Sequence, residues 1–367
     1  FQLYFQSIME SVISDNWDKP NEYLDGIITY QYRNAGAILP PVTKVKLEIF
    51  YNNFNIFWRL FPFYATVGIV LLVIMILKVL IPGVNVRYIV ITVIALLAIG
   101  FTAHTFGLGL RWYISGHAPW SNGFESMIYV AWATMLAGFI FANKSPFALS
   151  MTAILAALTL LVAHFSWMNP EITNLVPVLK SYWLTFHVSI ITASYGFLGL
   201  GALLGFLNLF LMLMKTGKTL ERIGTQIVDL TRINEMALTL GLYFLTVGTI
   251  LGAVWANESW GRYWGWDPKE TWSLVTILVY TFIIHMRQIP GLRTDYSFNL
   301  FALLGFGSVL MTYFGVNYYL SGLHSYAQGD PVPVPTFVYY LVIIIFLLAV
   351  FAYTNERKIR LLTAKPE

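Results

Sequence analysis

No cysteine occurs among the 367 residues, so the chain carries neither a structural disulfide nor thiol chemistry of its own. Charge is scarce too: 11% of residues are Asp, Glu, Lys or Arg, against 57% hydrophobic, and the mean hydropathy is +0.67. A soluble domain usually has about 25% charged residues. That shortage excludes a water-soluble fold and leaves an all-α polytopic membrane protein. The net charge of +4 is small and follows from the loop bias described below, so no nucleic-acid partner is needed. Histidine is sparse, with six residues, and apart from Met these are the only soft ligands present.

Apolar sequence is abundant. A helix crosses the bilayer core with roughly 20 apolar residues, and nine runs qualify, at about 61–81, 88–110, 124–142, 146–166, 182–214, 236–256, 271–286, 298–319 and 336–353. Residues 1–59 are polar and mixed, an expected extracytoplasmic segment. Residues 60–87 hold the first transmembrane helix and its linker, 88–353 the main membrane domain, and 354–367 a cytoplasmic tail. Residues 215–235 read as a charged helical connector. Short cytoplasmic loops collect Lys and Arg. With the amino terminus outside, 13 of them, from Lys78 to Lys365, fall in inner connections, against Arg111, Lys180, Arg262 and Lys269 in outer ones. Gly201 with Gly205 and Gly248 with Gly252 have the spacing of close helix packing and are assigned no chemistry. Asn317 and Tyr318 read as interhelical or interfacial polar residues.

The densest feature is residues 255–272, WANESWGRYWGWDPKETW. Trp255, Trp260, Trp264, Trp266 and Trp272 make five of the chain's 12 tryptophans in a predicted outer loop. Indoles collect at bilayer interfaces as a belt, and several together also make a platform for a flat apolar ligand. Belts scatter over many helix ends, whereas these five cluster with Arg262, Lys269, Asp267 and Glu270, which favours the platform. Asp267, Pro268 and Glu270 read as the cap, first position and capping-box partner of the next helix.

An imidazole in a membrane needs a partner, and depth sorts the six. His187 lies one to two turns inside the outer end of 182–214, and His324 lies just past the outer end of 298–319. Both are near the height of the tryptophans, where two axial imidazoles on opposite faces of a haem iron would sit. His285 lies 13 residues beyond Trp272, about 20 Å deeper at 1.5 Å per residue. No other histidine reaches that depth, so it is either solitary beside Arg287 or paired with a residue from elsewhere. His104 and His164 are expected to be buried and bonded to neighbouring helices, and His117 to be a loop contact.

The ordered set RWYISGHAPWSNGFESMIYVAW, a helix with His187, WGWDPKETWSL, His285 and His324 resembles the CcsA half of the CcsBA-type (System II) cytochrome c synthases, with their WWD domain. The likeness runs over roughly residues 88–353, and the preceding segment resembles the end of the CcsB half. The resemblance implies that His187 and His324 hold haem b iron at an external reaction site. It also implies that the tryptophan loop cradles that haem, and that His285 is one ligand of a transmembrane site whose partner comes from a CcsB-like half, fused or separate. The expected setting is a bacterial inner membrane, with the amino terminus and tryptophan loop periplasmic. The activity implied is a holocytochrome c synthase type haem lyase, joining haem vinyls to the thiols of a CxxCH motif in apocytochrome c, kept reduced by thiol reductants. Arg111, Arg262 and Lys269 are expected either on the haem propionates or as interfacial cations. Two alternatives stand beside this: a haem exporter or relay that makes no covalent bond, and a cofactor-free organic-solute transporter with the indoles as a belt.

Overall fold

In the computed structural model the described residues are 1–36, 38–165, 168–175, 179–320 and 334–363. Among them all regular structure is helical, which is how a chain buried in lipid satisfies its backbone N–H and C=O groups. The protein is therefore an all-α polytopic membrane protein, as the composition predicts. It divides into two units, Phe1–Phe54 and Asn55–Glu367.

The first unit holds three helices, α1 (Gln2–Ser14), α2 (Asp18–Ala35) and α3 (Val42–Phe54). Its mixed composition gave no sign of them. Asp15 ends α1 in the left-handed region at φ 53°, its N–H returning to the Ser11 carbonyl at 2.8 Å.

The second unit carries α4 (Ile56–Leu80), α5 (Arg87–Ser115), α6 (Gly123–Ala142), α7 (Pro146–Ala163), α8 (Tyr182–Met214), α9 (Leu220–Trp260) and α10 (Pro268–His285). After these come α11 (Asp295–Leu310), a π turn over Met311–Gly315, α12 (Val316–Tyr319) and α13 (Thr336–Thr363). Each of the nine predicted crossings falls on these helices. Eight stretches among the described residues are long and apolar enough to span a membrane. The segment α10 is not among them because its first turn, Pro268-Lys269-Glu270-Thr271, is polar. One boundary differs from expectation. The charged connector and the sixth crossing form one 41-residue helix, α9, about 60 Å long at 1.5 Å per residue. Residues 354–363 are helical as well, continuing α13.

Helix α8 is central, packing on α6, α7, α9, α11 and α13. Against α9 it runs antiparallel in strict register, with Gly201 on Leu238, Leu198 on Gly241, Ile191 on Gly248 and His187 on Gly252. A Cβ at Gly205 would lie 2.5 Å from the Asn299 carbonyl oxygen, so glycine there permits the α8–α11 approach. Beneath it, buried Asn208, Thr231, Asn234 and Asn299 share side-chain hydrogen bonds of 2.8–3.1 Å. Such bonds contribute about 0.6 kcal/mol each in membrane bundles; here they fix the rotation of three helices at the end opposite the tryptophans.

Candidate functional site

The tryptophan segment is less of a loop than its sequence suggests. Trp255 and Trp260 lie on the last turns of α9, which ends at Gly261 (φ 70°), and Trp272 lies on α10. Only Trp264 and Trp266 occupy the connection between them. The expected capping box is present: Asp267 accepts from the Lys269 N–H, and the Glu270 carboxylate accepts from the N–H groups of Asp267 and, at 2.7 Å, Gly265. Glu270 thereby ties the Trp264 connection to the start of α10. Asp267→Ala should lower stability by about 1 kcal/mol and Asp267→Asn by much less. Equal melting temperatures for both variants would contradict the capping role.

A cavity of about 550 Å³ opens at this end of the bundle, within the roughly 300–1,000 Å³ usual for small-molecule sites. It is assembled from distant segments. The ends of α8 and α9 supply His187, Tyr195, Gly252 and Trp255. The next connection and α10 supply Trp264, Lys269, Glu270 and Ser273, and the π turn and α12 supply Thr312, Tyr313 and Asn317. Trp112, at the end of α5, and His117 and Trp120, in the α5–α6 connection, close another side, and Lys180 lies at the start of α8. Of the five clustered indoles, Trp255 and Trp264 line the cavity. Trp260 meets Trp255 edge-on at 4.9 Å, and Trp266 meets Trp264 edge-on at 5.8 Å while staying 70% exposed. Trp272 is outside the wall and offers its carbonyl to Thr276 and Thr312. The indoles in the cavity wall are thus two of the motif together with Trp112 and Trp120. Their only sequence signal was the RWYISGHAPW run.

His187 points its Nδ1 at the Gly248 carbonyl oxygen, 2.7 Å away. A carbonyl only accepts, so Nδ1 carries a proton and donates it to Gly248. The indole of Trp255 lies parallel to the ring, at 7° and 6.4 Å. His324 lies outside the described residues. His285 sits at the far end of α10, exposed, with Nδ1 on the Thr281 carbonyl at 2.8 Å. The expected burial of His104 is observed: it has no exposed surface and bonds to Ile128 O and Tyr64 Oη on neighbouring helices. His164 is half-buried and instead bonds within its own helix, to Leu160 O at 2.7 Å. His117 lines the cavity, its ring nitrogens 3.1 and 3.3 Å from the carbonyls of Ala118 and Thr173.

The cations divide. Arg111 is not in the cavity wall: it is fully buried, bonded through Nε to Glu125 at 2.8 Å and through its terminal nitrogens to the Pro170 and Glu171 carbonyls. Glu125 in turn accepts from the Ser121 N–H and hydroxyl at 2.7 and 2.6 Å. A buried guanidinium is retained only with a carboxylate and further acceptors around it, which these contacts supply. Arg262 is exposed, folded over Gly265, and also outside the wall. Lys269 does line the cavity, its Nζ donating to Asn317 Oδ1 at 3.0 Å. It precedes the apolar run that begins at Thr271. Burial pulls its pKa down to about 8, against the opposing pull of the Asp267 carboxylate.

Fold and site together define a helical membrane protein with an imidazole- and indole-lined cavity at one end. The family described as Cytochrome C assembly protein matches residues 120–324, more than half of the chain and most of the cavity wall. The chain belongs to that family, whose business is cytochrome c biogenesis. It is 47% identical over 326 residues to Protein NrfI of Wolinella succinogenes, covering 89% of this chain and 36% of that protein. Cytochrome c biogenesis protein CcsA of Chlamydomonas reinhardtii is 37% identical over 224 residues, 59% of this chain and 63% of that one. The CcsA of Guillardia theta is 38% identical over 248 residues, 60% and 81%. The chain therefore spans about a third of the length of NrfI.

Proposed function

We propose that the cavity holds haem for attachment to apocytochrome c, making the chain the haem-presenting part of a cytochrome c synthase. The observation that carries this is His187: its Nδ1 proton is committed to Gly248 O and its ring lies parallel to Trp255 in a cavity of about 550 Å³. The donor set fits the group. Imidazole nitrogen suits iron, flat indoles suit a macrocycle, and Lys269 and Lys180 suit its carboxylates. His324 is the second axial ligand by the resemblance alone.

Haem is substrate here, and each cysteine thiol of CxxCH adds across a vinyl: an S–C bond forms and the hydrogen goes to the neighbouring vinyl carbon. No side chain of this protein need act as nucleophile, in keeping with the absence of cysteine. Its contribution is to hold the macrocycle still and limit water around it, which supplies proximity and orientation. The exposed His285, with its Nδ1 proton on Thr281 O, supports a second haem position completed by a CcsB-like half. On this reading the tryptophan end is periplasmic.

Co-expression with a CxxCH apocytochrome tests the reading. Covalent haem that survives acid-acetone extraction is expected, together with a sharp Soret band in the purified protein, and both should fall to background in His187→Ala. A Soret band without covalent product would mean a haem relay. Absence of any haem spectrum would favour solute transport.

A further inference from the structure

The glycines at 248 and 252 look in sequence like a helix-packing stripe, and Gly248 does pack on Ile191. At Gly252 the neighbour is not a packing residue. A Cβ built there would lie 2.6 Å from Cε1, 2.7 Å from Nδ1 and 3.2 Å from Nε2 of His187. The imidazole edge rests directly on the backbone of α9, closer than any β-carbon tolerates. One turn earlier the Gly248 carbonyl accepts the Nδ1 hydrogen, and three residues later Trp255 lies parallel to the ring. Positions 248, 252 and 255 share one face of α9, since residues three and four apart are neighbours on a helix. They supply an anchor, a seat and a wall to a side chain that comes from α8.

We propose that Gly252 and Gly248 are positioning residues for metal ligation by His187: their bare backbone fixes the plane and the protonation form of its imidazole. The inference rests on the reading that His187 ligates haem iron. Its physical basis is tolerance. A ligating group must be held within about 0.5 Å and 10–20° of its working geometry. A methyl group at 252 moves the ring by more than that, because the contact it would make is well inside van der Waals distance. The Gly248 carbonyl has two lone pairs, so it accepts the imidazole N–H without leaving the helix ladder. An acceptor behind the ring also raises ligand basicity, and losing such a partner typically costs about 10–100-fold in metal affinity. The seat is one rung of the α8–α9 register, so the packing that aligns the two helices also aligns the ligand.

The experiment titrates haemin into the purified full chain and reads the Soret band, for wild type, Gly252→Ala, His187→Gly and the double variant, with and without added imidazole. Gly252→Ala is expected to bind about tenfold or more weakly. His187→Gly should lose the signature and regain it with imidazole. The double variant should regain it equally, because an untethered ring does not have to lie on position 252. Wild-type binding by Gly252→Ala, with His187→Gly still defective, overturns the inference and leaves the haem reading standing. Failure of imidazole in the double variant alone also overturns it, since the methyl would then act through α8–α9 packing. An unchanged His187→Gly spectrum removes the haem reading itself.

Discussion

Arg111→Ala is expected to lower the stability of the chain by about 3–5 kcal/mol, the range for removing one partner of a buried ion pair. Both side chains of the pair are about 1% exposed, so the truncation strands the Glu125 carboxylate where water cannot reach it. It also releases the Pro170 and Glu171 carbonyls and loosens the hold on Ser121. These contacts bind the end of α5, the start of α6 and the 168–175 segment together, and each contributes to the cavity wall through Trp112, Trp120, Ser126 or Leu175. Removing both charges should hurt less than removing one, because no orphaned ion remains. Thermal unfolding in detergent of Arg111→Ala, Glu125→Ala and the double variant makes the comparison. Additive losses, or an Arg111→Ala loss below about 1 kcal/mol, would show that the pair is hydrated.

The second large effect concerns substrate carboxylates. Wild-type chain should prefer haem over its dimethyl ester, and Lys269→Met should lose much of that preference. A hydrogen bond to a charged group contributes about 1.5–3 kcal/mol, roughly 10–100-fold in affinity. Lys269 lines the cavity with Asn317 supporting its ammonium. Its depressed pKa, about 8, gives the pH dependence a sign: the ammonium is present below that value and is lost as pH rises through it. The preference for the free acid should therefore be full near neutrality and shrink above pH 8. A bound carboxylate shifts that midpoint upward, because it stabilises the protonated amine. A wild-type preference that is flat up to pH 10 would assign the anion contact to another cation.

Much of the bundle was legible because lipid-spanning helices announce themselves by composition. The predicted limits of α8, 182–214, are those observed, since Lys180 and Lys215 bracket an uninterrupted apolar run. Helix α9 was harder. Its charged first half and apolar second half look like separate elements, yet no proline falls between Leu220 and Trp260 to part them. The same continuity put Trp255 and Trp260 on a helix instead of in a loop; the true stop is Gly261, whose positive φ suits a helix-ending position. In the site, depth alone selected His187. The Arg111–Glu125 pair was not legible, because Glu125 belongs to the following helix and a pairing across a turn leaves no periodic trace. Trp112, Trp120, Tyr313 and Gly252 were missed for a related reason: the cavity gathers segments far apart in the chain, and only folding makes them neighbours.

The π turn at Met311–Gly315 sets the phase of everything after it. In a regular α-helix two residues five apart diverge by about 140° around the axis, at 3.6 residues per turn. Across this wider turn Thr312 and Asn317 both come to the cavity, and Asn317 reaches Lys269. Shortening the segment by a single residue would leave a sound helix rotated by about 100°, with its amide aimed elsewhere. The hydrophobic pattern tolerates that slip; the Lys269–Asn317 contact does not. One surplus residue in an apolar stretch thus acts as an angular setting for the cavity.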